Sequence, residues 1–283
     1  MQMPSGVGMP QPASIHILVV EDDVVSRDVA CQMLTHFGYQ VSAVDGGLAA
    51  LAAVRETACD MVLMDYRMLD MDGLETTRRL RAGEAGPRGL AVPIIALTAQ
   101  AFVTDREACL AAGMNDFLSK PVMVDSLVSA IERWGRQQVA SADVAQTQAA
   151  VPSCQADAMP SIFDPTVLAA LPMVADGSQP NYGETVLAMY LKSLPQSLAV
   201  IRQAAVGGDA QTMQHTAHTL KSTSAAVGAL ALAACAANAE AHLRAGHTSM
   251  SHLPSQFDME FERLCTMLGR QPGPVPEGAV STC

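Results

Sequence analysis

The apolar run Ile17-Leu18-Val19-Val20 leads straight into Glu21-Asp22-Asp23. A short, continuously apolar segment is the signature of a strand buried on both faces of a parallel sheet. In open α/β sheets the crevice beyond the carboxyl ends of the strands is where ligands bind. Three carboxylates at that place make a solvated surface strand a poor reading and suggest a site that gathers negative charge around a metal.

The same grammar repeats down the chain. Met61–Met64 ends in Asp65, Pro93–Leu97 ends in Thr98, and Asp116–Ser119 ends in Lys120-Pro121, with Tyr39–Ala43 as the remaining strand. Between them lie segments of helical length and period: Asp23–Phe37, Gly47–Thr57, Leu74–Leu80, Thr104–Ala112 and Val122–Trp134. Five βα units at this spacing predict a doubly wound parallel sheet, flavodoxin-like, covered by helices on both faces.

The chemistry of these strand ends follows from charge. Glu21, Asp22 and Asp65 would repel one another unless a hard cation neutralised them, and a set of oxygen ligands suits Mg2+. One carboxylate could then act as a nucleophile. Thr98 offers a hydroxyl and Lys120 a mobile point charge, enough to hold the oxygens of a phosphoryl group. The chain has only three lysines, Lys120, Lys192 and Lys221, and an ammonium is not interchangeable with a guanidinium at such a site. Asp23 reads as the N-cap of the first helix and not as a metal ligand.

Residues 15–137, with MDYRMLDMDGLE around Asp65 and the LTA and KP motifs, resemble the receiver domain of two-component signalling proteins. The resemblance implies that Asp65 is the phosphoacceptor. It further implies that Glu21, Asp22, Asp65 and the backbone carbonyl of Arg67 bind Mg2+, that Thr98 and Lys120 contact the phosphoryl group, and that Phe117, three before the lysine, stands at the aromatic switch position, with Thr98 as the other switch residue. Leu69 stands where the family commonly has proline, and Phe117 lacks the hydroxyl some members carry.

Past Trp134 the composition changes. Residues 138–161 read as a flexible linker, and Val139–Ser161 would span about 26 Å as a random coil, enough for the flanking domains to meet. Asp164-Pro165 is a helix start, and apolar residues recur at helical spacing over Val186–Leu194, Leu198–Val206, Met213–Val227, Leu230–Leu243 and Phe257–Leu268. No strand signal competes, so an all-α helical bundle is expected over 162–270. Residues 1–14 and 271–283 are expected to be disordered tails.

Within the bundle, Lys221 stands at i+3 from His218, which puts ammonium and imidazole on one helical face. Ser222 is small enough to leave room for a partner's loops. The segment His218-Thr219-Leu220-Lys221-Ser222, with Gly228 ten residues after the histidine, resembles the histidine phosphotransfer (HPt) domain. That resemblance implies phosphorylation of His218 on a ring nitrogen, with Lys221 assisting and Ser222 and Gly228 serving docking; the family often has glycine at the position of Ser222. His215 reads as a surface histidine or a satisfied core one, not as the acceptor, and His242, His247 and His252 read as ordinary surface histidines.

Composition removes other classes. A formal net charge of −11 and six Lys and Arg from 138 to 283 disfavour a nucleic-acid-binding second domain. No apolar stretch reaches the roughly 20 residues of a membrane span, and Met1–Ser14 lacks a secretory pattern. Seven cysteines without a C-x-x-C pair agree with a reducing compartment. The expectation is a cytoplasmic, non-enzymatic phosphorelay protein whose partners are a sensor histidine kinase and other receiver or HPt proteins. The alternatives are the C-terminal receiver–HPt part of a hybrid sensor histidine kinase, or an HPt adaptor that acts as a phosphate sink.

Overall fold

A computed structural model describes residues 15–98, 103–120, 122–135, 161–245 and 250–270. Expectations for the tails, for most of the linker, for Pro121 and for His247 fall outside these residues. The first half forms five strands, β1 His16–Val20, β2 Gln40–Val44, β3 Met61–Asp65, β4 Ile94–Thr98 and β5 Asp116–Ser119. All pairings are parallel and the order is β2-β1-β3-β4-β5. The helices between them are α1 Val24–His36, α2 Gly47–Glu56, α3 Gly73–Arg81, α4 Pro87–Ala91, α5 Val103–Ala112 and α6 Val124–Gly135. The short α4 was not anticipated.

Register explains the site. Val20 pairs with Met64, Asp65 with Leu97 and Thr98 with Ser119, so Glu21, Asp65, Thr98 and Lys120 arrive together at one end of the sheet. Successive side chains of a strand point to opposite faces. Ile17, Val19, Met61, Leu63, Ile95 and Leu97 accordingly pack with α1 and α6. Leu18, Val20, Val62, Met64, Ile94 and Ala96 pack with α2, α3 and the α5–β5 turn.

The second half is helical among the described residues: α7 Pro165–Ala169, α8 Pro172–Ala175, α9 Tyr182–Gly207, α10 Ala210–Ala226, α11 Leu230–Arg244 and α12 Leu253–Met267. The last four form the bundle, with α10 against α9 and α11, and α12 against α9 and α11. The sequence suggested separate helices either side of Pro195, but α9 runs through it. An interior proline costs about 3 kcal/mol. Tyr190, Leu194, Leu198 and Ile201, all essentially inaccessible, sit on the stripe that crosses the proline, and each contributes about 1.5–3 kcal/mol by burial. Packing therefore outweighs the lost hydrogen bond.

Gly228 has a packing role of its own. It is buried, adopts φ +82°, and a Cβ there would lie 2.2 Å from the Asp164 carbonyl oxygen. Its own carbonyl accepts from the Asp164 N–H at 2.8 Å. The glycine is thus a close-approach joint between the α10 C-terminus and the start of α7. Gly228→Ala should cost about 3 kcal/mol from left-handed strain plus overpacking. Denaturant unfolding of the full chain checks this, and a loss below about 0.5 kcal/mol would refute the packing role.

The two halves touch. Val29, Ala30 and Cys31 of α1 pack against the same apolar cluster that holds Leu168, Met173 and Tyr182, and α1 contacts α8, α9 and α10. The outer side of α1 is therefore covered by the helical half.

Candidate functional site

The carboxylate cluster forms as the strand ends require. Single oxygens of Glu21, Asp22 and Asp65 all lie within 4.8 Å of one another, with Glu21 and Asp65 buried. Lys120 reaches in from the end of β5, donating to Glu21 Oε2 at 2.5 Å and standing 3.0 Å from Asp65 Oδ1. The Arg67 N–H makes a long contact of 3.4 Å to Asp65 Oδ1. Burial, followed by the Asp65 charge, pushes the Glu21 carboxyl well above its usual range, against the pull of Lys120. Burial depresses the Lys120 pKa, but the Asp65 and Glu21 charges outweigh it and hold the ammonium above its ordinary value.

One ammonium against three carboxylates leaves the cluster short of positive charge. Asp22 Oδ1 is buried without a hydrogen-bond partner. An orphaned oxygen beside two further carboxylates is the donor set of a hard cation. Thr98, the last residue of β4, is buried beside this cluster, and its carbonyl accepts from the Lys120 N–H at 2.6 Å. Phe117, on β5, is half-buried with the Arg106 guanidinium 5.6 Å from its ring centroid. Asp23 is the α1 cap, accepting from the Ser26 N–H at 2.8 Å.

On α10, His218 is only 5 % exposed. Its Nδ1 lies 2.9 Å from Glu240 Oε1, while Nε2 is buried with no partner. Glu240, on α11, also accepts from Lys221 Nζ at 2.5 Å and from Arg244 at 2.7 Å. Although burial alone would raise the Glu240 carboxyl, hydrogen bonds from His218 and Lys221 hold it at about 2. An ionised carboxylate can only accept, so Nδ1 carries the proton and Nε2 the lone pair. The nitrogen left unbonded is the nucleophilic one.

Burial lowers the His218 pKa, Lys221 and Arg67 lower it further, and Glu240 opposes them. Between the folded value and the ordinary value of about 6.5 the unfolded chain binds more protons. This group's contribution to stability is therefore present above about pH 6.5 and declines below it. For the chemistry the sign is the same, because the protonated ring has no lone pair. The rate at which His218 accepts a phosphoryl group should hold level from pH 8 down past 6.5 and fall only at lower pH. A pH–rate profile breaking above 7 would contradict this.

His215 is a paired, largely buried histidine and not a surface one. Its Nε2 lies 3.1 Å from Asp22 Oδ2, and both side chains are largely buried. Asp22 of the cluster and the neighbouring cap Asp23 therefore both face α10 directly, since the Thr223 hydroxyl donates to Asp23 Oδ1 at 3.0 Å. His218 stands one turn from His215 on the helix laid over the carboxylates. Ser222 is buried with its hydroxyl turned back to the His218 carbonyl at 3.3 Å.

Glu240 is the functional candidate that the sequence reading missed. The available signal was its isolation, as the only acidic residue in Leu230–Arg244. A lone carboxylate in an alanine-rich helix that packs on a histidine-bearing helix needs a cationic partner if it is buried.

Strand order, a carboxylate cluster with an apposed lysine, and a histidine-bearing helical bundle define a receiver-type α/β domain joined to a phosphotransfer-type bundle. Comparison with known families agrees: residues 17–132 match the response regulator receiver domain and residues 185–270 the Hpt domain. The chain carries a receiver domain followed by an Hpt domain. It is 32 % identical over 237 residues to the sensor protein GacS of Pseudomonas syringae pv. syringae, covering 82 % of this chain and 25 % of that one. It is 37 % identical over 161 residues to the virulence sensor protein BvgS of Bordetella pertussis, covering 56 % of this chain and 13 % of that one. The chain thus spans a quarter or less of these relatives. Among solved structures, the receiver domain of sensor histidine kinase PA1611 from Pseudomonas aeruginosa PAO1, with a magnesium ion in its active site cleft, is 43 % identical. That match covers 44 % of this chain and 98 % of that one, at a TM-score of 0.40. Among the described residues no helix is long and apolar enough to cross a membrane.

Proposed function

We propose that this chain is a phosphorelay protein with two stations, Asp65 and His218, and that the two exchange a phosphoryl group. The observation that carries the reading is the placement of α10 over the carboxylate cluster, with His215 on Asp22 and Thr223 on Asp23. The domain units are 15–137 and 162–270, joined by 138–161. Glu21, Asp22, Asp65 and the Arg67 carbonyl would hold Mg2+, which the orphaned Asp22 oxygen and the unbalanced charge support. When bound, the ion neutralises negative charge that develops on the phosphoryl oxygens.

The protein's own groups do the remainder. Asp65 supplies the carboxylate oxygen that bonds to phosphorus as the bond from phosphorus to the phosphodonor (a phosphohistidine nitrogen or a small phosphodonor) breaks and the donor leaves, while Lys120 and Thr98 hold the phosphoryl oxygens. For transfer, the His218 Nε2 lone pair attacks phosphorus in line as the phosphorus–oxygen bond to Asp65 breaks and its carboxylate leaves. Glu240 keeps the Nδ1 proton in place, so positive charge that develops on the ring is met by a carboxylate. Lys221 stands on the same face to meet the incoming phosphoryl group, and Thr98 and Phe117 are the switch residues. Partners are sensor histidine kinases and other receiver or HPt proteins, in a cytoplasmic setting.

Labelling from a small phosphodonor with Mg2+ tests the assignment. Asp65→Asn should abolish base-labile phosphate, and His218→Gln should abolish acid-labile phosphate while leaving the base-labile species. Retention of either species in its own variant would move that station elsewhere. A second reading is favoured by the length of GacS and BvgS: the two domains serve a sensor kinase as its terminal relay modules. In that case a kinase core that phosphorylates Asp65 should do so faster when fused to residues 15–283 than when mixed with them.

A further inference from the structure

The contacts between the two halves fall into two tiers. The first lies at the phosphoryl site, where α10 meets Asp22 and Asp23. The second lies further along α1. There the Tyr182 hydroxyl donates to Asp28 Oδ2 at 2.8 Å, and His36 Nε2 stands 3.0 Å from Asp176 Oδ2. At 1.5 Å per residue, Asp28 and His36 are about 12 Å apart along the helix, and His36 is about 20 Å from Asp23. Neither contact reaches the reacting atoms.

Tyr182 is only 7 % exposed. Burial, then the Asp28 contact and charge, push its hydroxyl above the ordinary phenol range, so it donates at all accessible pH. A buried hydroxyl satisfied by a carboxylate on another domain is costly to leave unpaired, which makes it a device for discriminating partners.

We propose that Asp28 and His36 on the receiver, with Tyr182 and Asp176 on the helical domain, are specificity-determining residues that select this chain's own histidine domain as the occupant of α1. The inference rests on the relay reading and adds to it the choice of partner. Tethering sets the second domain at an effective concentration that reaches the millimolar range. The matched polar pairs then favour it over an outside histidine domain that lacks a hydroxyl and a carboxylate at these two places. Such a protein gains access to Asp65 only when the tethered domain lifts from α1, so the same contacts limit entry from other chains.

The test uses the full chain with Tyr182→Phe combined with Asp176→Ala, and separately Asp28→Ala, which attacks the pair from the receiver side. Backbone amide exchange of residues 24–36 reads docking, and the rate of label movement from Asp65 to His218 reads its consequence. Both variants should speed α1 exchange by about fivefold and slow transfer by about tenfold, in line with loss of a hydrogen bond to a charged group. Labelling of Asp65 by the small phosphodonor should be unchanged. Asp28→Asn, which keeps an acceptor oxygen, should recover most of the transfer rate.

Unchanged α1 exchange in both variants would overturn the proposal. Wild-type α1 exchange that slows, or transfer that speeds up, as protein concentration rises would also overturn it, by assigning α1 to a second copy's domain. Faster α1 exchange in the variants, with no label ever reaching His218 in wild type, would sustain the docking and refute the relay.

Discussion

A Glu240→Ala chain should unfold about 3 kcal/mol more readily than wild type, because removal of one partner strands buried charge on the others. Lys221 is 14 % exposed at its side chain and loses its carboxylate partner at 2.5 Å. Thermal or denaturant unfolding of the second domain reads the loss, and a change under 1 kcal/mol would show that the network is dispensable. The milder Glu240→Gln keeps the volume and removes the charge. It should fold yet accept phosphate on His218 about 10–100-fold more slowly, by analogy with the loss of a hydrogen-bonding partner that orients a metal-bound imidazole. Stability should follow the depressed Glu240 carboxyl. Its contribution is full above the ordinary glutamate range near 4.5 and is lost as pH falls toward about 2.

The second large effect is expected at Gly73. A Cβ there would meet the Asp65 carbonyl oxygen at 2.2 Å and the Met64 side chain at 3.0 Å, while the Gly73 N–H donates to the Tyr66 carbonyl at 3.1 Å. Gly73→Ala must displace the backbone that carries Asp65. Overpacking of this kind costs about 1–3 kcal/mol, and a 1 Å shift at a reacting group costs about a hundredfold in rate. Label incorporation at Asp65 should fall by that order while His218 still accepts phosphate from an outside phosphorylated receiver. Normal Asp65 labelling would show that the loop absorbs the methyl group freely.

Strand-end residues were legible because each apolar run stops at a carboxylate, a hydroxyl or an ammonium, and parallel pairing brings such ends together whatever the loops do. Asp23 was legible as a cap for a local reason, its carboxylate reaching an N–H three residues on. The continuity of α9 was not, since a proline reads as a break wherever the burial that offsets it is unknown. Gly228 has the right spacing for the phosphotransfer pattern, but spacing does not say which atom the missing Cβ would strike.

Glu240 and the interdomain contacts belong to a third kind of information. Asp22 and His215 are 193 positions apart in the chain, as the numbering of their 3.1 Å contact shows. No local period relates residues brought together only when two domains meet, so nothing near His215 in the sequence pointed to Asp22. The orphaned Nε2 of His218 likewise becomes visible only once Glu240 is seen on Nδ1.

The central claim is that Asp65 and His218 exchange a phosphoryl group within one chain. A single-turnover time course tests it: full chain labelled briefly by a small phosphodonor with Mg2+, quenched in parallel into acid and into base. Base-labile label on Asp65 should appear first and decline as acid-labile label on His218 rises, at a rate independent of protein concentration, with the second species absent from Asp65→Asn. Acid-labile label of equal rate and extent in Asp65→Asn, or base-labile label that decays only to inorganic phosphate, would contradict it.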